Sequence, residues 1–175
     1  MTFRGWLMTI IPLADQPKVI PTLARWFHDE WSCFDGRPVE TIAQQLQANL
    51  NRDSIPITFL AVSGAALMGT ISVELSDLPP RDDLSPWLAS LYVAPESRRA
   101  GVGSALVRHI LEFARVRGFA ELYLWTPGSP EFYARRGWTI FDGMQYARQP
   151  ITLMHWRANA ISGVPVRRSS NKNEA

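Results

Sequence analysis

Around residue 100 the chain reads Arg98-Arg99-Ala100-Gly101-Val102-Gly103-Ser104, a basic pair followed by Gly-x-Gly and then by a helix-forming run. Residue types in this order suit anion binding. Glycine at 101 and 103 lets backbone and ligand approach closely. Amides at a helix start are free donors at the positive end of the helix dipole, and Arg98 and Arg99 add charge at the rim of such a nest. Three phosphate-binding patterns compete for the segment. A Walker loop requires Gly-Lys-Ser/Thr, which this sequence lacks. A dinucleotide fingerprint requires glycine or alanine where Leu106 stands, and a preceding run of parallel β-α-β units, which is also missing. The pattern that fits is Arg-x-x-Gly-x-Gly, with pyrophosphate on the amides of residues 98–104. The plain alternative is a glycine that opens a helix beside two solvated arginines.

Other chemistries find little support. Cys33 is the single cysteine, so neither an intrachain disulfide nor a thiolate zinc cluster can form. His28, His109 and His155 lie far apart without metal-ligand spacing, and no metal is expected. No Gly-x-Ser-x-Gly surrounds Ser63, Ser72, Ser90 or Ser104. The charge balance is 18 basic against 16 acidic residues, with 16 of the basic ones arginine and no basic stripe, so no nucleic-acid partner is expected. The apolar run Trp6–Leu13 is short and interrupted by Pro12, and no later run approaches a membrane span. The expectation is a cytoplasmic protein, monomeric or homodimeric, without a membrane partner.

The elements that would position the glycine loop can be read from periodicity. Residues 7–11 suggest a first strand closed by Pro12. Val19, Ile20, Leu23, Trp26, Phe27 and Trp31 recur at helical spacing over 17–31, and Ile42, Leu46 and Leu50 mark a second helix over 39–50. Strands follow at 57–62 and 67–75, with Ser63-Gly64 as a turn signal. The segment SDLPPRDDLSP, 76–86, reads as a loop, and WLASLYV, 87–93, as the fourth strand. A helix from the glycines carries Val102, Leu106, Ile110 and Phe113 on one face and stops at Gly118. A fifth strand at 121–125, a short helix at 130–136 and two closing strands complete the order β-α-α-β-β-β-α-β-α-β-β. This is a mixed α/β (α+β) arrangement of one domain over residues 1–157, followed by a tail at 158–175 read as disordered.

LYVAPESRRAGVGSALV, residues 91–107, resembles the acetyl-CoA-binding motif of the GNAT superfamily of N-acetyltransferases, and EFYARRGW, 131–138, resembles its companion motif. The two stand about 30 residues apart in the expected order, and the order of elements is similar to that fold over residues 7–157. The resemblance implies acetyl-CoA as co-substrate, a GNAT-like sheet with splayed fourth and fifth strands, and an amine acceptor on a small molecule or peptide. The rival function is a non-catalytic acyl-CoA-binding or regulatory domain on the same fold.

Carried onto this chain, the resemblance has Leu91, Tyr92 and Val93 offer backbone groups to the pantetheine arm. The Leu91 amide is the candidate donor to the thioester carbonyl, where oxyanion charge develops. Arg98, Arg99, Ala100, Gly101, Val102, Gly103 and Ser104 would hold the pyrophosphate. Tyr133 matches the family tyrosine that protonates the departing thiolate, or that merely hydrogen-bonds the sulfur. The general base has no direct counterpart, since the family position falls near Trp87. Glu74 is the nearest carboxylate by topology and would work through a water, unless no base is needed. For the acceptor, the acidic residues Asp29, Glu30 and Asp35 fall in the region of the first two helices and Asp77, Asp82 and Asp83 in the 76–86 loop, against Arg37 and Arg81 in the same segments. Trp31, Asp35, Asp82 and Asp83 are the candidates.

Overall fold

The computed structural model describes residues 2–3 and 6–158, so the expected tail lies, from residue 159 on, outside the described residues. Seven strands form one open sheet: β1 (Thr9–Pro12), β2 (Ile57–Ser63), β3 (Ala66–Glu74), β4 (Trp87–Val93), β5 (Glu121–Thr126), β6 (Thr139–Tyr146) and β7 (Gln149–Arg157). Their spatial order is β1-β2-β3-β4-β5-β7-β6. The helices are α1 (Ile20–Asp35), α2 (Val39–Ala48), α3 (Val102–Val116) and α4 (Pro130–Ala134). A two-residue pairing of Thr2–Phe3 with Trp6–Leu7 precedes the main sheet.

The sheet is covered on both faces, which explains why β2 is buried along its whole length instead of alternating. Ile57, Phe59 and Ala61 point to a core shared with Val102, Leu106 and Ile110 of α3. The intervening Leu60 and Val62 point to Leu23, Phe27, Ile42 and Leu46 of α1 and α2. A third, smaller cluster joins Leu78 and Trp87 to Ile151 and Leu153 of β7. Leu78 is fully buried and anchors the polar 76–86 segment to the body of the protein. That segment also contains a single 3-10 turn over Pro79–Arg81.

The structure ends the second helix at Ala48 and the short helix at Ala134, each two residues early, and it redraws the first strand and the first helix. The first strand begins at Thr9 and includes Pro12, whose missing N–H is tolerated because β1 is an edge strand. Leu7, expected in that strand, belongs instead to the short pairing before it. Helix α1 runs four residues past Trp31 and ends at Gly36 with φ 63°, so Ser32–Asp35 is helix and not the start of a turn. The extension carries Phe34 and Asp35 to the front of the sheet.

The splay expected between the fourth and fifth strands is present. β4 and β5 are parallel and share one register pair, Trp87 with Tyr123, beside the bond from the Tyr123 amide to the Pro86 carbonyl (3.0 Å). The other neighbouring strands are antiparallel. On its other edge β4 carries a bulge. Ser72 pairs with Ala89 and Thr70 with Tyr92, so Ser90 and Leu91 together face Ile71, and Ser90 takes φ 53°. A bulge bends its strand and re-aims the residues beside it. Close approach across this pair depends on Gly69, because a Cβ there would sit 2.6 Å from the Tyr92 carbonyl oxygen.

Candidate active site

The glycine loop forms a turn of two left-handed residues before α3. Arg99 has φ 59° and Gly101 φ 80°, and the helix begins at Val102. The first intrahelical bond in this turn runs from the Ala105 amide to the Gly101 carbonyl (3.0 Å), so the amides of Val102, Gly103 and Ser104 are free of helical partners. These three residues line a cleft of about 400 Å³ together with Leu91, Tyr92, Val93, Arg98, Arg99, Gly101, Phe132 and Tyr133. Nine of the ten expected cofactor residues are thus brought together. Ala100 is the exception: it does not line the cleft and packs against the core under α3.

One cation beside this cleft, held by two of its lining residues, was not among the expected site residues. Arg136 stacks on the Phe132 ring with its guanidinium carbon 3.7 Å from the ring centroid, and it hydrogen-bonds the Ser104 hydroxyl. This brings a positive charge to the already positive start of α3. Burial and the neighbouring Arg135 disfavour that charge and lower the Arg136 pKa. An anion in the cleft would relieve both costs. Arg98 is turned differently: it donates from Nε to the Val93 carbonyl (3.1 Å) and lies over the Tyr92 ring. The residues present therefore fit a pyrophosphate-bearing ligand. The only sequence signal for Arg136 was its place in the short helix, three residues after Tyr133.

Beside this cleft, in the gap between β4 and β5, lies a second cavity of about 330 Å³. Trp31 and Phe34 of α1, Leu88–Leu91 of β4, Trp125 of β5 and Tyr146 of β6 supply its walls. Phe34 and Tyr146 each pack edge-on against the Trp125 ring, at 5.2 and 5.6 Å. Trp31 is both wall and packing: it lines the cavity and sits edge-on to Phe27 at 5.2 Å. The two cavities share Glu30, Leu91, Ser129 and Tyr133, so Leu91 and Tyr133 stand where they meet. Tyr133 is buried, and that burial, followed by the charge of Asp77, pushes its pKa up to about 12. Its phenol is therefore held protonated.

The carboxylates divide differently from expectation. Asp35 lines the cavity and is tied to Arg37 by a bond of 2.6 Å. Asp82 and Asp83 line neither cavity; both are exposed, and Asp83 is clasped by Arg81 at 2.9 and 3.0 Å. They follow Leu78, whose burial sends the chain back out to solvent. Asp77, immediately before that anchor, lines the cavity and accepts a bond from Trp125 Nε1 (2.8 Å). Only part of its surface stays accessible to the cavity, and burial, followed by the charge of Glu74, raises its pKa to about 7.

Glu74 lines neither cavity. It borders a separate space of about 20 Å³ with Asn49, Asp77, Ser90 and Arg37, and accepts a bond from Asn49 Nδ2 (2.5 Å). Burial lifts its pKa to about 7 against the lowering effects of Asn49 and Arg37. Thr58 and Ser72 extend the polar network behind it, joined at 2.8 Å.

This combination of a splayed parallel pair, a bulged β4 and a helix N-terminus across the opening defines an acyltransferase-type fold. The model of the acetyltransferase (GNAT) family matches residues 20–138, and the chain belongs to that family. Among curated proteins it is 25% identical over 163 residues to N-acetyltransferase 8B of Rattus norvegicus, covering 90% of this chain and 68% of that protein. It is 26% identical over 124 residues to N-acetyltransferase 8 of the same organism, covering 70% of this chain and 54% of that one, so it spans only about half of the latter relative. Solved structures of the same fold include an aminoglycoside 6'-N-acetyltransferase complexed with coenzyme A, with TM-score 0.65, 16% identity, and 86% and 96% of the two chains covered. The ribosomal-protein-S18-alanine N-acetyltransferase of Escherichia coli aligns with TM-score 0.64, 17% identity, and 91% and 99% covered.

Proposed function

We propose that this protein is an acetyl-CoA-dependent N-acetyltransferase that passes the acetyl group directly to a primary amine of a small molecule or peptide. The observation that carries the reading is the meeting of two cavities at Leu91 and Tyr133. One cavity is walled by a helix N-terminus and suits a phosphate-bearing ligand. The other is aromatic, with carboxylates at its edge, and suits an organic amine. In this reading β4 beyond Trp87 offers backbone groups to the pantetheine arm, in the gap that β5 leaves open. The amides of Val102, Gly103 and Ser104, with Arg136, hold the pyrophosphate. In the same reading the Leu91 amide stabilises charge developing on the acyl oxygen, and the bulge at Ser90 beside it supports that role.

Tyr133 supplies a proton to the departing sulfur. A buried phenol with a raised pKa keeps its proton until a strong base such as a thiolate forms beside it. Direct transfer needs no protein nucleophile, and Cys33, the single cysteine, is exposed and lines neither cavity.

The test is free-thiol release from acetyl-CoA with a panel of primary amines: a polyamine, an arylalkylamine, amino acids and a short peptide with a free N-terminus. Turnover with at least one amine is expected. Tight acetyl-CoA binding with no thiol release across the panel would favour a binding or regulatory domain instead. In the active enzyme, Tyr133→Phe should lower kcat about 100-fold while acetyl-CoA affinity, measured by calorimetry, stays within a few fold.

A further inference from the structure

We propose that Asp77, and not Glu74, takes the proton from the acceptor's ammonium group, and that Glu74 sets the affinity of Asp77 for that proton across the small cavity between them. This rests on the transferase reading above and deepens it. Asp77 is the carboxylate that borders both the acceptor cavity and the 20 Å³ space where Glu74 lies. Trp125 Nε1 holds its Oδ2 at 2.8 Å. Its Oδ1 has no hydrogen-bond partner among the described residues and is not one of the fully buried unpartnered atoms, so it keeps some exposure. Asp35, which also lines the acceptor cavity, is already paired with Arg37.

Asn49 turns its amide nitrogen to Glu74 and to Thr58, at 2.5 and 3.1 Å, and its Oδ1 is buried with no partner. That atom belongs to a residue bordering the same 20 Å³ space, together with Glu74, Asp77 and Ser90. A space of this size and polarity takes one water, which needs roughly 10–15 Å³ and two to four polar partners. Such a water satisfies Asn49 Oδ1 and links Asp77 to Glu74.

The groups that face Asp77 set the balance of charge. They are Glu74 on β3, Glu30 and Asp35 on α1, Arg37 between α1 and α2, Tyr133 on α4 and Tyr146 on β6. Glu74 and Asp35 raise the Asp77 pKa and Arg37 lowers it. A carboxylate titrating near neutrality is suited to a general base. In the reaction the ammonium gives one proton to Asp77 and leaves a lone pair on nitrogen. That pair forms the C–N bond to the acyl carbon while the C–S bond breaks and its electrons go to sulfur. Tyr133 gives the sulfur its proton, and the second proton lost by nitrogen restores the phenol.

The experiment compares Asp77→Asn with the parent enzyme on two acceptors, phenethylamine and 2,2,2-trifluoroethylamine, the second being neutral at pH 7. For the parent, kcat/KM with phenethylamine should rise with pH to a plateau set by a group near pH 7. In Asp77→Asn the rate at pH 7 should fall about 100-fold with phenethylamine and less than about 5-fold with the neutral amine. The fall should be recovered progressively as pH rises and free amine accumulates. Glu74→Gln should move the parent's acidic limb to lower pH, because it removes a like charge from Asp77. Equal loss with both amines, or an unchanged pH profile in Asp77→Asn, would overturn the proposal while leaving the transferase reading intact. Absence of turnover by the parent with the whole amine panel would remove both. Carboxyl carbon NMR titration of the full chain gives a readout independent of turnover. A signal of Asp77 that titrates near pH 4 and ignores Glu74→Gln would also refute it.

Discussion

Gly69→Ala is the sharpest test of how β4 is held. The added Cβ would stand 2.6 Å from the Tyr92 carbonyl oxygen, and 3.3 Å from both Leu106 Cδ1 and Val102 Cγ1. The oxygen is backbone, so relief requires the strands themselves to part until the contact exceeds 3.0 Å. Thr70, next to Gly69, pairs directly with Tyr92, and the bulge at Ser90–Leu91 lies one residue further on. The displacement therefore falls on the segment assigned to the acyl arm. Overpacking of this kind costs about 1–3 kcal/mol. For a chain of this size each kcal/mol lowers Tm by roughly 2–4 °C, giving an expected fall of about 2–12 °C by calorimetry or circular dichroism. Shifts of well under 1 Å at a positioned site still matter chemically, so acetyl-CoA affinity should drop at least several-fold, read by isothermal titration. A variant with Tm unchanged within 1 °C and parental affinity would refute the claim that the close β3–β4 approach sets the site.

Three further outcomes are expected. Gly103→Glu should weaken acetyl-CoA binding at least ~10-fold, because a carboxylate would be placed against the pyrophosphate among the α3 amides; calorimetric titration measures it. Arg136→Leu keeps an apolar contact with Phe132 but removes the cation beside Ser104, and should weaken acetyl-CoA binding ~10-fold and flatten its salt dependence. Glu74 and Asp77 have folded pKa values near 7, above their ordinary 4.5 and 3.8, so between these limits the folded state binds more protons than the unfolded one. Stability should fall as pH rises from about 4 to about 7 and level off above that, and Glu74→Gln should stabilise the protein at pH 8 by up to about 3 kcal/mol, read as a higher Tm in thermal melts across pH 4–9.

Much of the architecture was legible from patterning. The α3 helix was clear because Val102, Leu106 and Ile110 share one stripe and Gly118 closes it. Strand β2 was clear because two covered faces demand a continuous apolar run. The end of α1 was missed because Ser32-Cys33-Phe34-Asp35-Gly36 has turn-like composition, yet helix continuation carries Phe34 onto Trp125. Pro12 likewise reads as a strand stop, and only its edge position admits it.

The amino-acid sequence by itself determined the order of elements, the free amides after Gly101 and the presence of Tyr133 in the companion motif. These follow from local rules: periodicity, glycine's access to positive φ, and motif spacing within a few tens of residues. Tertiary structure alone decided which carboxylates line the aromatic cavity. Asp77, Asp82 and Asp83 share one polar loop and one chemistry. The buried Leu78 anchor and Trp125, 48 residues away along the chain, hold Asp77 at the cavity, whereas Asp83 turns outward to Arg81. The same holds for Glu74, withdrawn behind the cavity by Asn49, and for Arg136, brought to Ser104 across 32 residues. Burial and charge at these positions are set by contacts between distant segments, and no local reading of residue type contains them.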